Sequence, residues 1–361
     1  MIKFSVIFLF FVSFFPFSMY NKKMNMSKKK NIVVIGGGTG TFTVLSGLKK
    51  YPLNISAIVS MADSGGSNKV IRDELGLLPT SDIRQCFVAL AKESNQTERL
   101  LRSLFMYRFD KGNGLKGMTF GNLFLAALSD ILGSQDEAIE KTSQVLKVKG
   151  RVLPVTLSNS NLVAVYEDGE RVVGEHFIDE PDRDRKVKIQ KLSLEPISKA
   201  NPKAIEAIME ADIVVIGPGD LYTSLIVNLL VKGVVKALQK TKAKIVYIMN
   251  LMTRHGQTTG FPAKDHIFAL EKYLGKNQLD FVLVNSEKIP DKIIKKYEKE
   301  ENSIAVKDDL EGGSFKIIRG DFLNKKEVKK SSADSLKRSL IRHDSDKLAK
   351  SLAKLAKCFV N

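Results

Sequence analysis

The chain has 361 residues, 43% hydrophobic and 27% charged, enough apolar material for one large core or two modest ones and too much for a disordered chain. A net charge of +17 invites a nucleic-acid reading, yet Lys3, Lys22, Lys23, Lys28, Lys29 and Lys30 supply six of those charges in the first thirty residues, where no acid occurs. The remainder is spread through mixed-sign stretches such as "EPDRDRKVKIQK", with no helix-turn-helix, finger or aromatic RNA-binding pattern, so it reads as a solvated surface and no nucleic-acid partner is expected.

In chain order, the first feature is "FSVIFLFFVSFFPFSMY", Phe4 to Tyr20, a near-continuous apolar run behind Lys3. Residues 1–27 read either as a signal-peptide core or short anchor, or as a start placed upstream of Met24 or Met26, which stand just before "SKKKNIVVIGGG". The lysines following the run outweigh the single Lys3 before it and would hold the body in the cytoplasm by the positive-inside rule, so both readings predict a cytoplasmic protein with no stable membrane span in its mature form. Cys86 and Cys358 match no metal or disulfide spacing and are expected to be small buried hydrophobes in a reducing compartment.

Short β-branched runs follow, "NIVVIG", "ISAIVS", "DIVVIG", "KIVYIMN" and "DFVLVN", each apolar on successive residues as strands covered on both faces are. Helical patterns fill the intervals. In one, Ser134 and Glu137 have capping-box spacing; in another, Asn201 precedes Pro202 at the first helical position. The alternation predicts a Rossmann-like, doubly wound α/β fold with a mainly parallel sheet over residues 28–335. Between about residues 151 and 196 the period changes: "VLPVTL", "NLVAVYEDGERVVGEH" and "KVKIQKLSL" predict an inserted antiparallel β excursion, with a hairpin tip at Asp168-Gly169. Residues 336–361 read as a C-terminal helix packed on the same domain, its lysines toward solvent.

The candidate site residues lie where strands end. Gly36, Gly37, Gly38 and Gly40 follow the first strand and open a helix, where missing Cβ atoms let a phosphate reach backbone N–H groups; Thr39 and Thr41 add hydroxyls. The third glycine of a dinucleotide fingerprint would fall at Thr41, and no GK[ST] follows, so a purely structural turn stays open beside anion binding. After the second strand comes "SMADSGGSNKVIRDELGLLPTSDIRQ". Asp63 lies where a Rossmann acid meets a ribose hydroxyl, Ser64, Gly65, Gly66 and Ser67 form a second polar loop, and Arg72 suits a phosphate. The plainer reading makes this a solvated loop with Asp63 as a helix cap, and Asp82 with Arg84 a salt bridge at a helix start. A third strand leads into Gly217, Pro218, Gly219 and Asp220, then a helix with Tyr222, Thr223 and Asn228; Asn228 reads equally as a core amide. Asn122 after Gly121, Asn250 and Thr253 complete the crevice. His176, His255 and His266 share no metal spacing and are expected on the surface or in loops; no metal ligand set and no nucleophile elbow can be read.

These motifs, "VVIGGGTGT", "ADSGGS...RDELGLLPTSDIRQ", "GMTFGNLFLAAL", "VIGPGDLYTSLIVNLL" and "HDSDKLAK", together resemble the family containing 2-phospho-L-lactate transferase (CofD), and most closely its bacterial gluconeogenesis-factor (YvcK-like) branch. The resemblance runs from about Asn31 to the last helix. It implies a Rossmann-like core that binds a nucleotide-bearing ligand, a UDP-sugar in this branch, with roles in carbon metabolism, cell shape and wall synthesis. In the transferase branch it implies transfer of a phospholactyl group from a guanosine diphosphate conjugate, with a divalent metal such as magnesium assisting. Relatives usually carry a second aspartate where Ser64 stands, a histidine where Met118 stands and a serine where Asp220 stands. These departures thin the catalytic inventory and favour a binder and regulator, with a metal-assisted transferase as alternative and an NAD-dependent oxidoreductase less favoured. A homo-oligomer and a protein partner that reads ligand occupancy are the remaining expectations.

Overall fold

The computed structural model describes residues 29–181, 187–325 and 340–358. The apolar leader therefore lies outside the described residues. Seven strands form one parallel sheet in the order β10-β9-β8-β7-β1-β2-β3. They are β1 (Asn31–Gly36), β2 (Asn54–Val59), β3 (Arg151–Pro154), β7 (Ile213–Ile216), β8 (Lys244–Ile248), β9 (Phe281–Asn285) and β10 (Lys316–Gly320). From β1 the chain first winds outward through β2 and β3, then returns to the other side of β1 with β7 and continues to β10. The order reverses between β1 and β7, and the crevice of such a sheet opens at that reversal, beyond the carboxyl ends of the strands.

Successive strand residues enter opposite layers, which is why the strands read as unbroken apolar runs. Val33 and Ile35 of β1 join the core beneath α8 (Pro202–Met209), α10 (Val234–Lys240) and α11 (Ala263–Leu274). Ile32 and Val34 join the opposite core, with α1 (Gly38–Leu48), α3 (Ser81–Leu90) and α13 (Ser345–Cys358). The helices α2 (Gly66–Leu75), α4 (Gln96–Met106), α5 (Phe120–Leu132) and α6 (Gln135–Val145) fill the long crossover from β2 to β3. The caps form as their spacing predicts: Glu137 N–H donates to the Ser134 hydroxyl, and Lys203 N–H to the Asn201 side chain.

The antiparallel excursion is a three-stranded sheet, β5 (Arg171–Val173), β4 (Asn161–Tyr166) and β6 (Ile189–Glu195), with the tip of its β4-β5 hairpin at Gly169 in the left-handed region. Two corrections apply. "VLPVTL" belongs to the main sheet: β3 pairs parallel with β2, with Val152 in one core and Leu153 in the other. The excursion also carries a short helix, α7 (Glu175–Asp179), that no periodicity signals. The C-terminal helix begins only at Ser345; Leu340 to Asp344 run non-helically, with an antiparallel bridge between His343 and Leu323. A Cβ on Gly47 of α1 would overlap the Ser345 carbonyl, so that glycine sets how closely α13 docks. Cys86 is buried as expected, but Cys358, in the last described turn of α13, is exposed. Among the described residues no helix is long and apolar enough to cross a membrane.

Candidate functional site

Beyond the carboxyl ends of β1, β2 and β7 lies an open cleft of about 490 Å³, lined by the three loops singled out above. Its centre is the contact between two turns. A Cβ on Gly40 would overlap the backbone carbonyl of Pro218, and Gly219 packs on Ser224 and Leu225. The first turn of α1 and the Gly217-Pro218-Gly219 turn are therefore in backbone contact, which only glycine at 40 permits. The second turn enters a π-helical segment, Leu221–Ile226, continued by α9 (Val227–Leu229). Such wide turns recur at functional sites because they re-aim side chains. This one sends Thr223 to the cleft and Tyr222 into the core.

The amides the sequence offers to a phosphate already have a negative neighbour. Gly38 N–H donates to Asp82 Oδ1 at 2.8 Å, and a Cβ on Gly37 would overlap the same carboxylate. Burial, then the charge of Asp63, pushes the Asp82 carboxyl up to about 7. Asp63 does not cap a helix. It accepts from Gly65 N–H at 2.9 Å and from the Asn68 amide, and burial raises it as well. Asn68 also accepts from the N–H groups of Thr80 and Ser81 at 3.1 and 3.3 Å, so one buried amide holds Asp63 and the start of α3 together. Asn122 has the same office on the other side. It accepts from Arg84 Nε at 3.1 Å and donates to the Ser67 and Ser81 hydroxyls at 3.0 and 3.2 Å.

The third wall comes from the excursion. Helix α7 presents Glu175, His176 and Asp179 to the cleft, anchored where His176 N–H donates to the Ser64 hydroxyl at 3.1 Å. Asp179 accepts from Arg254 at 2.8 Å and from Gln257 at 2.8 Å, residues that follow β8. Burial and the surrounding carboxylates hold Glu175 well above the usual range, and burial with Asp179 lifts Asp220 to about 6. Tyr297 of α12 (Asp291–Glu301), with Ile341, Arg342 and His343, closes the remaining side.

Of the expected residues, Gly37, Gly38, Thr39, Gly40, Asp63, Gly65, Gly66, Ser67, Asp82, Arg84, Gly219, Asp220 and Thr223 line the cleft, as do Asn250 and Thr253. Gly36, Thr41, Ser64, Asn122 and Gly217 stand just behind it as supports. Arg72 turns away, donating to Asn161 at 2.9 Å and pairing with Asp73, while Tyr222 and Asn228 are core residues. The histidine expectation needs correction. His266 is fully buried on α11 with no hydrogen-bond partner among the described residues for either ring nitrogen, and His176 lines the cleft. Sequence reasoning missed Asn68, Glu175, Asp179, Arg254 and the wall from α12 onward. Asn68 lies inside the stretch "SMADSGGSNKVIRDELGLLPTSDIRQ", Glu175 inside "NLVAVYEDGERVVGEH" and His343 at the head of "HDSDKLAK", but nothing in those stretches marks these residues as facing a site.

Sheet order, paired glycine turns and cleft define a doubly wound α/β protein with its crevice at the switch point. Residues 32–323 match the family described as 2-phospho-L-lactate transferase CofD. The chain belongs to that family, in its gluconeogenesis-factor (YvcK-like) branch. It is 41% identical over 334 residues to the gluconeogenesis factor of Bacillus subtilis strain 168, covering 92% of this chain and 100% of that protein. The gluconeogenesis factor of Halalkalibacterium halodurans is 43% identical over 283 residues, 78% of this chain and 85% of that one. A crystal structure of a Bacillus halodurans protein superposes with a TM-score of 0.81 at 38% identity, covering 90% of this chain and 100% of that chain.

Proposed function

We propose that the cleft binds a nucleotide sugar, a UDP-sugar, and that occupancy regulates carbon metabolism, cell shape and wall synthesis through a protein partner. The observation that carries this reading is the pair of glycine turns in backbone contact at the switch point. A diphosphate would lie on the amides of Gly37 to Gly40, with the loop of Asp63 to Ser67 on one side and Gly219 to Thr223 on the other. Asp82 titrates near neutrality, so in its protonated form it can donate to a neighbouring phosphate instead of repelling it. Arg72, bonded to Asn161, is left out of this binding scheme. The gluconeogenesis factors to which the chain is similar support the metabolic side.

The carboxylates around the cleft favour one alternative, a metal-assisted transferase of the phospholactate type. Among the described residues no three ligating side chains come together to hold a metal ion. A magnesium ion would therefore be held mainly by the diphosphate, with Asp63 or Asp82 adding one protein oxygen, the sparse coordination usual for this ion. Calorimetric titration with a UDP-sugar, a guanosine diphosphate conjugate and NAD, each with and without magnesium, separates the readings. Metal-independent binding of the UDP-sugar without turnover is expected. Magnesium-dependent binding and turnover of the guanosine conjugate would make the protein a transferase, and preference for NAD would revive the oxidoreductase.

A further inference from the structure

The cleft is acidic for a phosphate site. Asp63, Asp82, Glu175, Asp179, Asp220 and Glu301 all line it, and neither glycine turn places a lysine or arginine on it. Two of the lining cations have structural tasks: Arg254 pairs with Asp179, and Arg84 donates to Asn122 and to the Phe105 carbonyl. Of the other lining cations, Arg342 stands in the wall beyond α12, whereas Arg108 and Lys116 arrive together on one element, the segment 107–119 between α4 and α5.

That segment is a strap closed at its base and open at its tip. Phe120 N–H donates to the Tyr107 carbonyl, Phe109 N–H to Met118 and Gly117 N–H to Phe109, at 2.9, 2.9 and 2.8 Å. Gly112 and Gly117, both with φ +87°, flank the tip; a Cβ on Gly117 would meet open space, and one on Gly112 would make only ordinary contact with Leu115 Cβ at 3.9 Å. Arg108 donates to the Gly117 carbonyl at 2.6 Å, so its guanidinium is fixed to the strap itself. On the outer side Tyr107 and Leu115 are exposed at 49% and 43%, and the tip residues 110–116 are all exposed. The tip is thus held by a few solvent-accessible backbone bonds, the kind of segment that opens and closes at little cost.

We propose that the 107–119 strap closes over the cleft when a diphosphate is bound, and that Lys116, with Arg108, supplies the positive charge the cleft floor lacks. The inference rests on the reading of the cleft as a diphosphate site and deepens it: phosphate is recognised from both sides, by backbone amides below and strap cations above. Lys116 is then a specificity residue for the diphosphate portion and indifferent to the nucleoside.

The chain contains no tryptophan, so Leu115→Trp places a sole indole reporter on the strap. A UDP-sugar and inorganic pyrophosphate should each shift its emission, and uridine should not. Lys116→Ala should weaken both phosphate-bearing probes roughly tenfold and lower the salt dependence of binding. Thermal unfolding should show Lys116→Ala as stable as the parent, since the side chain is exposed. If calorimetry detects UDP-sugar binding that neither moves the reporter nor responds to Lys116→Ala, the strap is a static wall and the inference fails while the ligand reading stands. A reporter that answers pyrophosphate but not the UDP-sugar supports the strap and overturns the nucleotide-sugar reading. No binding of either probe overturns both.

Discussion

At the scale of single residues, two glycines two positions apart at the start of α1 are held for different reasons. Gly38 has φ +59° with open space where a Cβ would stand, whereas Gly40 would drive its Cβ into the Pro218 carbonyl. Gly38→Ala should cost about 1 kcal/mol of backbone strain, and Gly40→Ala about 2–3 kcal/mol because two backbones must separate. Urea unfolding midpoints of the two variants would rank them. Asp82 gives a pH prediction. Its folded value near 7 lies above the ordinary 3.8, so the folded chain binds more protons than the unfolded one between these values. Its contribution to stability is complete below the unfolded value and lost as pH rises through 7. Asp82→Asn should therefore flatten the decline in urea midpoint between about pH 4 and about pH 7; an undiminished decline would assign it to other groups. Asp63 and Glu175 face Asp82 and are raised too, so some decline of the same sign persists in the variant.

At the scale of elements, α11 carries a buried mismatch. His266 is fully buried against the edge of Phe261, and burial lowers its imidazole to about 4. Because the unfolded residue titrates near its ordinary 6.5, stability from this neutral ring is complete above that value and is lost as pH falls through 4. His266→Leu should stabilise the chain by about 1–2 kcal/mol near neutrality and by more near pH 5, read from paired urea titrations. Equal midpoints at both values would show that the imidazole is satisfied in solution. Helix α13 gives a second test. It buries Leu348, Ala349, Leu352 and Ala356 in the core shared with α1. Gly47→Ala, which would strike the Ser345 carbonyl, should loosen that docking and expose amides of α13 to hydrogen exchange while β1 stays protected. The helix itself was readable because its lysines and leucines repeat at the helical period. Its late start was not, since the preceding Leu340 to Asp344 are held by the His343 bridge to Leu323.

At the scale of the whole molecule, the cleft joins segments from nearly the full length of the chain. The Arg254–Asp179 pair ties the segment after β8 to the inserted sheet, each side chain about one-fifth exposed. Arg254→Ala leaves Asp179 among like charges and should cost about 2–3 kcal/mol, less than a fully buried pair would. It should also weaken the proposed binding of a UDP-sugar by releasing α7 from the wall. If affinity held while stability fell, α7 would be scaffold only.

The parallel sheet and its glycine turns were legible in the chain because their causes are local: β-branched runs make strands, and a glycine cluster between strand and helix makes a tight turn in any surroundings. The membership of β3 in the main sheet was not, because a short apolar strand pairs according to which neighbour covers its second face, and here that neighbour is β2. Nor could the chain alone show that Asp82 sits on the Gly38 amide, or that Arg72 turns to Asn161 and Asp63 to Asn68. A charged side chain reaches several ångströms in any direction, and its partner is chosen by packing between elements far apart in sequence. Composition and period thus specify the scaffold and the place of its crevice, while the electrostatics of that crevice arise only when α3, α7 and the segment after β8 converge on it.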